Sequence, residues 1–344
     1  MIEIDVTMRR SSIVEVLRAI GISVKLTEKR QGIFLSIITR TQGRRPELLQ
    51  ELMLCLMAQE CDDFEWLITA HNVDKEKLEE VEKMVENAPD TFRSKVHILD
   101  VRGGGRTEPL NVGFKGARGK YIAVLDDDDI VLGNWVKEFK EMAQETTGKV
   151  LRTMPLWQDF AVGEDPISGS CVARTEGGPT RGPESYDFLG HFTRNETPIH
   201  CLAFPAAAFQ DFDIRFDDNL NTTEDWDFLL HTIGICGVGD SATPTAIYRR
   251  FKNLDNSQEE HNRQEWQRCE ELVKLNVHNR YFIIPPNNIF SSFVKNTTDS
   301  ISDKRKSSTI VLLKKAFFVL KQEGLVSLIF KVKKKLRERR TKKV

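Results

Sequence analysis

Asn111-Val-Gly-Phe-Lys-Gly-Ala-Arg-Gly-Lys-Tyr-Ile-Ala-Val-Leu-Asp-Asp-Asp-Asp129 is the stretch that decides how this chain folds. Tyr121 to Leu125 is a short apolar run with the length and composition of a buried strand. It ends in four consecutive carboxylates, Asp126 to Asp129. In an open α/β sheet, ligands bind just beyond the carboxyl ends of strands. Two unit charges about 4 Å apart repel by about 4 kcal/mol at an effective dielectric of about 20, so the cluster needs compensation. A hard divalent cation, Mg2+ or Mn2+, suits such oxygen ligands and leaves room for substrate phosphates. A solvated acidic turn is the plain alternative. Position at the end of a buried strand favours a site.

Upstream, apolar runs alternate with amphipathic segments. Ile33 to Thr39 reads as a buried, β-branched strand, followed by a loop through Arg45. Pro46 suits the first position of a helix whose stripe is Leu48, Leu49, Leu52, Met53, Leu56 and Met57. Phe64 to Thr69 is a second strand, Lys75 to Asn87 a charged helix, and Val96 to Leu99 a third strand. A helix near Leu110 to Ala117 leads into the central strand, and Asn134 opens the next helix. This alternation predicts an α/β fold with a mostly parallel sheet and right-handed crossovers. From Leu151 to Thr197 the periodicity fades, which predicts a long irregular insert. Thr223 reads as the cap of a helix with acids in its first turn. Thr245 to Phe251 reads as an edge strand and residues 260–275 as a helix.

The 344 residues carry a net charge of −1, unevenly spread. Residues 301–344 hold fifteen Lys and Arg against three acids, a surplus of +12, so the first 300 residues carry −13. An acidic body with a basic tail predicts an anionic partner for the tail. Two amphipathic tail segments, one through Ile310, Leu313, Phe317 and Leu320, favour docking on an anionic membrane surface. Few aromatics there could stack on bases, which argues against nucleic acid. The six cysteines form no CxxC pair and match no zinc spacing. No apolar run reaches transmembrane length and no signal peptide is evident, so the expected place is the cytoplasm, on the inner face of the plasma membrane. The expected organisation is an extension over 1–31, a body over 32–280 divided near residue 150, and the basic helical tail over 281–344.

Gly105-Arg106-x-x-x-Leu110-Asn111-x-Gly113-x-x-x-Ala117-x-Gly119-x-Tyr121-Ile122, then Leu125-Asp126-x-Asp128-Asp129, then Glu224-Asp225-Trp226-Asp227, stand in a specific order. Over roughly residues 32–255 this resembles the GT-A glycosyltransferases of family 2, which have a Rossmann-like sheet flanked by helices. The resemblance implies inverting, metal-dependent transfer from a nucleoside-diphosphate sugar, UDP-linked, to a glycan or lipid-linked acceptor in bacterial surface polysaccharide synthesis. It implies that Asp126-x-Asp128 is the DxD motif. Asp128 is then the direct ligand of Mn2+ or Mg2+, and Asp126 lies nearer the ribose. Asp127 holds the variable position and Asp129 supports the turn. Asp225 is the implied general base, with Glu224 beside it. Thr39, Arg40 and Arg106 fall where the family lines the nucleotide, and Arg249, Arg250 and Ser257 where later diphosphate contacts occur. The family's acidic pair after the second strand is absent here; Asn72 or Asp74 would have to meet the base.

Asn111 also reads as a helix-end hydrogen bonder, Trp226 as packing, and His200 as a satisfied core or surface histidine. Two other functions fit parts of the pattern. A nucleotidyltransferase would also use clustered acids and Mg2+, but the loop at 40–45 has only Gly43 for a phosphate cradle. A catalytically inactive binding module would explain the altered 70–74 segment.

Overall fold

The computed structural model describes residues 32–164, 171–252 and 263–280. The extension, Ser257 and the basic tail lie outside these residues. Among the described residues, nine strands form one sheet. Strands β1 (Leu35–Thr41), β2 (Phe64–His71), β3 (Val96–Val101) and β4 (Tyr121–Val124) lie parallel in the order 3-2-1-4. Leu35 to Ile38 and all of β2 are buried, as parallel strands covered on both faces should be.

Beyond β4 the sheet becomes mixed. β8 (Leu202–Pro205) pairs antiparallel with β4, β6 (Val150–Glu164) antiparallel with β8, and β9 (Val238–Lys252) parallel with β6. β5 (Ile130–Val131) closes the row against β9, and β7 (Cys171–Arg181) pairs with β6. Two expectations are corrected here. The segment expected to be irregular is largely a strand pair, because β6 finds partners on both sides over its length. The strand expected at the edge is interior, because β9 lies between β6 and β5.

Helices cover both faces. One face carries α1 (Pro46–Met57), α2 (Lys75–Glu86) and, after the short α3 (Asp90–Arg93), α5 (Trp135–Glu145). Their apolar stripes pack on Leu35, Ile37, Trp66 and Ile68. The other face carries α4 (Glu108–Gly116), α6 (Ala206–Gln210), α7 (Glu224–Cys236) and α8 (Arg263–Asn279). Its centre is Phe114, whose ring meets Phe204, Phe209, Phe216 and Phe228 at 5.1–6.3 Å.

The glycines before β4 serve close packing. A Cβ on Gly113 would stand 2.5 Å from Ile38 Cγ2, so α4 can lie on β1 only with glycine there. A Cβ on Gly119 would stand 2.6 Å from the Ser36 backbone nitrogen. Asn111 does not sit at a helix end. It lies within α4, and its amide exchanges two hydrogen bonds of 3.1 Å with the backbone of Phe216. Replacing Gly119 with Ala forces backbone to shift, and overpacking of this kind costs about 1–3 kcal/mol. Chemical denaturation of Gly119→Ala should therefore show a lower midpoint than wild type, with no change in the slope of the transition.

Candidate active site

The carboxyl ends of β1 and β4 meet the loop before α4 and the first turn of α7. Arg40, near the end of β1, reaches two ways. Its Nε donates to Asp126 Oδ1 at 2.8 Å and its Nη1 to Glu224 Oε1 at 2.7 Å. Arg106 Nε donates to the same Glu224 oxygen at 2.6 Å. Arg40, Arg106, Asp126 and Glu224, distant in sequence, thus form one ion-paired unit. Burial disfavours a charged Glu224, but Arg106 and Arg40 outweigh it and hold its carboxyl below the usual range. Asp126 is held low for the same reason, chiefly by Arg40.

The remaining acids of the turn have separate partners. Arg45 spans Asp127 and Asp128, with Nη2 at 2.7 Å and Nη1 at 2.6 Å. The Thr41 hydroxyl donates to Asp127 Oδ2 at 2.7 Å. Burial still pushes the Asp127 carboxyl up to about 6. Asp129 Oδ2 lies 3.0 Å from His200 Nδ1 and accepts the Asp126 N–H at 3.2 Å. His200 is thus a buried partner of the acid turn, and although burial opposes its charge, Asp129 raises its pKa well above the ordinary value. The Arg249 Nε donates to the Asp128 carbonyl at 2.6 Å and its Nη1 to Glu51 at 2.7 Å.

Asp225 opens α7 beside Glu224. Its Oδ1 accepts the Trp226 N–H at 2.7 Å and its Oδ2 the Asn195 side-chain amide at 3.1 Å. Burial, then the charge of Glu224, pushes its carboxyl up to about 6. A carboxylate poised there can take a proton near neutral pH. Trp226 is packing, as expected: it is buried and donates to the His191 carbonyl at 2.7 Å. Thr223 does occupy the cap position, but in a left-handed conformation at φ 60°, and its hydroxyl donates to the Thr222 carbonyl instead of capping α7.

Several expected donor contacts point elsewhere. Thr39 is fully buried, and its hydroxyl accepts from Trp66 Nε1 at 2.8 Å, so its side chain does not line the cleft. Arg249 is buried against Asp128 and Glu51, and Arg250 pairs with Asp159 at 2.7 Å. Asp74 caps α2 by accepting the Lys77 N–H at 3.0 Å. Asn72 is exposed, but its Oδ1 accepts the Gly103 N–H at 2.8 Å. The sequence does not mark Arg45 or Asn195 as site residues, because their acidic partners lie thirty or more residues away and no spacing announces them.

No group of three or more His, Cys, Asp or Glu side chains among the described residues is disposed to hold a metal ion. The oxygen donors of Asp126 and Asp128 suit a hard cation. Arg45 now supplies the positive charge beside Asp128, so a metal would fit there only with Arg45 displaced.

Residues 36–153 match the model for Glycosyl transferase family 2. An uncharacterized glycosyltransferase of Methanocaldococcus jannaschii is 25% identical over 225 residues, covering 64% of this chain and 72% of that protein. Residues 1–349 of S. aureus TarS, solved with UDP-GlcNAc, superpose with a TM-score of 0.52 at 20% identity, over 72% of this chain and 67% of that one. A second structure of the same TarS fragment gives a TM-score of 0.50 at 19% identity, over 86% and 80%. The two likenesses bear on the fold, and the family match on the chemistry. Residues 36–153 are thus similar to the family 2 glycosyltransferases, in an α/β fold similar to that of TarS.

Proposed function

We propose that this chain is an inverting glycosyltransferase and takes its sugar from a nucleoside-diphosphate donor, UDP-linked, with Asp225 as general base. The observation that carries the reading is the Arg40 bridge. It sets the acid turn and the first turn of α7 on opposite sides of one guanidinium, with Asp225 next to Glu224. The acceptor hydroxyl gives its proton to Asp225 while its oxygen bonds to the anomeric carbon. The bond from that carbon to the diphosphate oxygen breaks, and the electron pair leaves with the diphosphate. The first-turn acids also stabilise the helix dipole by about 0.3–1 kcal/mol each, which is compatible with this role.

Asp126-x-Asp128 serves as the DxD motif in this reading, with Asp128 the ligand of Mn2+ or Mg2+ and Asp126 toward the ribose. When bound, the cation would neutralise charge on the departing diphosphate as a Lewis acid. Arg40 and Arg106 keep Glu224 ionised and in place. Arg45 holds Asp127 and Asp128 and would have to release Asp128 for a cation to bind there. The TarS structure with UDP-GlcNAc supports a uridine donor by analogy of fold. The acceptor is a glycan or lipid-linked hydroxyl of a bacterial surface polysaccharide. No helix among the described residues is long and apolar enough to cross a membrane. The basic tail would bring the enzyme to the anionic inner surface where lipid-linked acceptors lie.

Asp225→Asn should keep donor binding by calorimetry while losing about 10²–10⁴-fold of transfer. Asp225 has a raised pKa of about 6, so its carboxylate is lost as pH falls through that value. In wild type, kcat/KM should drop about tenfold per pH unit below about 6 and level off above it. Undiminished turnover in Asp225→Asn would reject the base.

A thermal-shift screen of nucleoside-diphosphate sugars, with and without Mn2+, tests the donor. A ligand at about 100 times its Kd adds about 2.7 kcal/mol, a visible shift. Asp128→Ala should abolish the part of that shift that depends on Mn2+. The full chain should also sediment with vesicles containing phosphatidylserine and release as salt rises, since the attraction is screened within about 10 Å at 0.1 M; retention at high salt would argue against an electrostatic tail.

A further inference from the structure

Tyr248 lies on β9 with 38% of its surface exposed, in a sheet whose other large aromatics are mostly buried. It is directly in register with Trp157 of β6, so two aromatic side chains share one face of the strand pair. Behind its ring lies His200, with centroids 5.8 Å apart and planes at 29°. His200 is itself anchored on Asp129 at 3.0 Å, and its buried Nε2 has no hydrogen-bond partner among the described residues. Burial pushes the Tyr248 hydroxyl up to about 12, with Asp129, Asp225, Asp128 and Asp126 adding to the effect in that order. Through His200 and Asp129 the ring stands beside the acid turn, with part of its surface open.

That placement has a chemical consequence. In a displacement at the anomeric carbon, one bond leads to the diphosphate and the attacking oxygen comes from the opposite side, next to the base. Whatever lies between the diphosphate acids and the base is the sugar being transferred. We infer that Tyr248 forms the floor of the donor-sugar subsite, its open face packing against the hexopyranose ring. The inference rests on the transfer reading above and adds to it a residue that selects the sugar. A pyranose presents a face of C–H groups that an aromatic ring can cover, and a ring braced by His200 and Asp129 costs little to order on binding.

The test is titration calorimetry in Mn2+ on full-length wild type, Tyr248→Ala and Tyr248→Phe, with UDP and UDP-N-acetylglucosamine as paired probes. Tyr248→Ala should bind UDP within about twofold of wild type and UDP-N-acetylglucosamine roughly three- to tenfold more weakly. Tyr248→Phe should match wild type on both. Equal weakening of the two probes, no weakening of either, or a Phe variant as impaired as the Ala variant overturns the subsite. If Tyr248→Ala does not fold, Tyr248→Leu, which keeps bulk without a π face, takes its place with the same expectations. A wild type that binds none of UDP, GDP or dTDP, nor their glucose, mannose or N-acetylglucosamine conjugates, overturns the donor reading itself. A sugar-dependent gain in wild type that survives in Tyr248→Ala overturns this inference alone.

Discussion

The Arg40 guanidinium, shared between Asp126 and Glu224, is the interaction on which the site depends. It is 16% exposed and Glu224 only 3%. Removing one partner from a buried pair costs about 3–5 kcal/mol, because the other charge is left uncompensated. Here one cation serves two carboxylates on two elements, and Arg106 repeats the link to Glu224. The parallel half of the sheet and the helix that carries Asp225 are thereby tied at the cleft. Asp227 extends the tie outward: it is fully buried, and Arg280 at the end of α8 grips it with two bonds of 2.8 and 2.9 Å.

The acid turn follows the same logic of divided neutralisation. Four adjacent carboxylates would repel one another if left to solvent alone. Instead Asp126 leans on Arg40, Asp127 and Asp128 on Arg45, and Asp129 on His200. Each partner comes from a different element of the fold. The four acids consequently differ: Asp126 is held ionised, whereas burial raises Asp127 to about 6. A group of identical residues acquires separate tasks through its neighbours.

The parts that sequence made legible are those with local causes. The apolar runs at β1, β2 and β4 and the stripes of α1 and α5 follow from burial on known periods. Gly113 and Gly119 had a visible place in the pattern, but their reason, a 2.5–2.6 Å clash for any Cβ, appears only when α4 lies on β1. The strand pair of β6 and β7 was illegible because Gly, Pro and polar residues dominate it; pairing partners across the sheet make it a strand. Asn111 looked like a helix-end residue, yet it lies within α4, where its amide meets the Phe216 backbone, 105 residues on, through two hydrogen bonds. His200 looked like one more core histidine until Asp129 came within 3.0 Å.

The chain alone determined that an apolar strand would end in carboxylates at the mouth of an α/β sheet and that a second acidic pair would open a later helix. Both are matters of composition and short-range period, which the local backbone obeys. Only the tertiary structure decided which arginine neutralises which acid, that Asp225 is lifted toward neutral pH while Glu224 beside it stays ionised, and that Tyr248 stacks on the histidine that holds Asp129. Those outcomes depend on charges brought within about 3 Å from segments 80 to 190 residues apart, and electrostatic energy depends on distance in space, not on spacing along the chain.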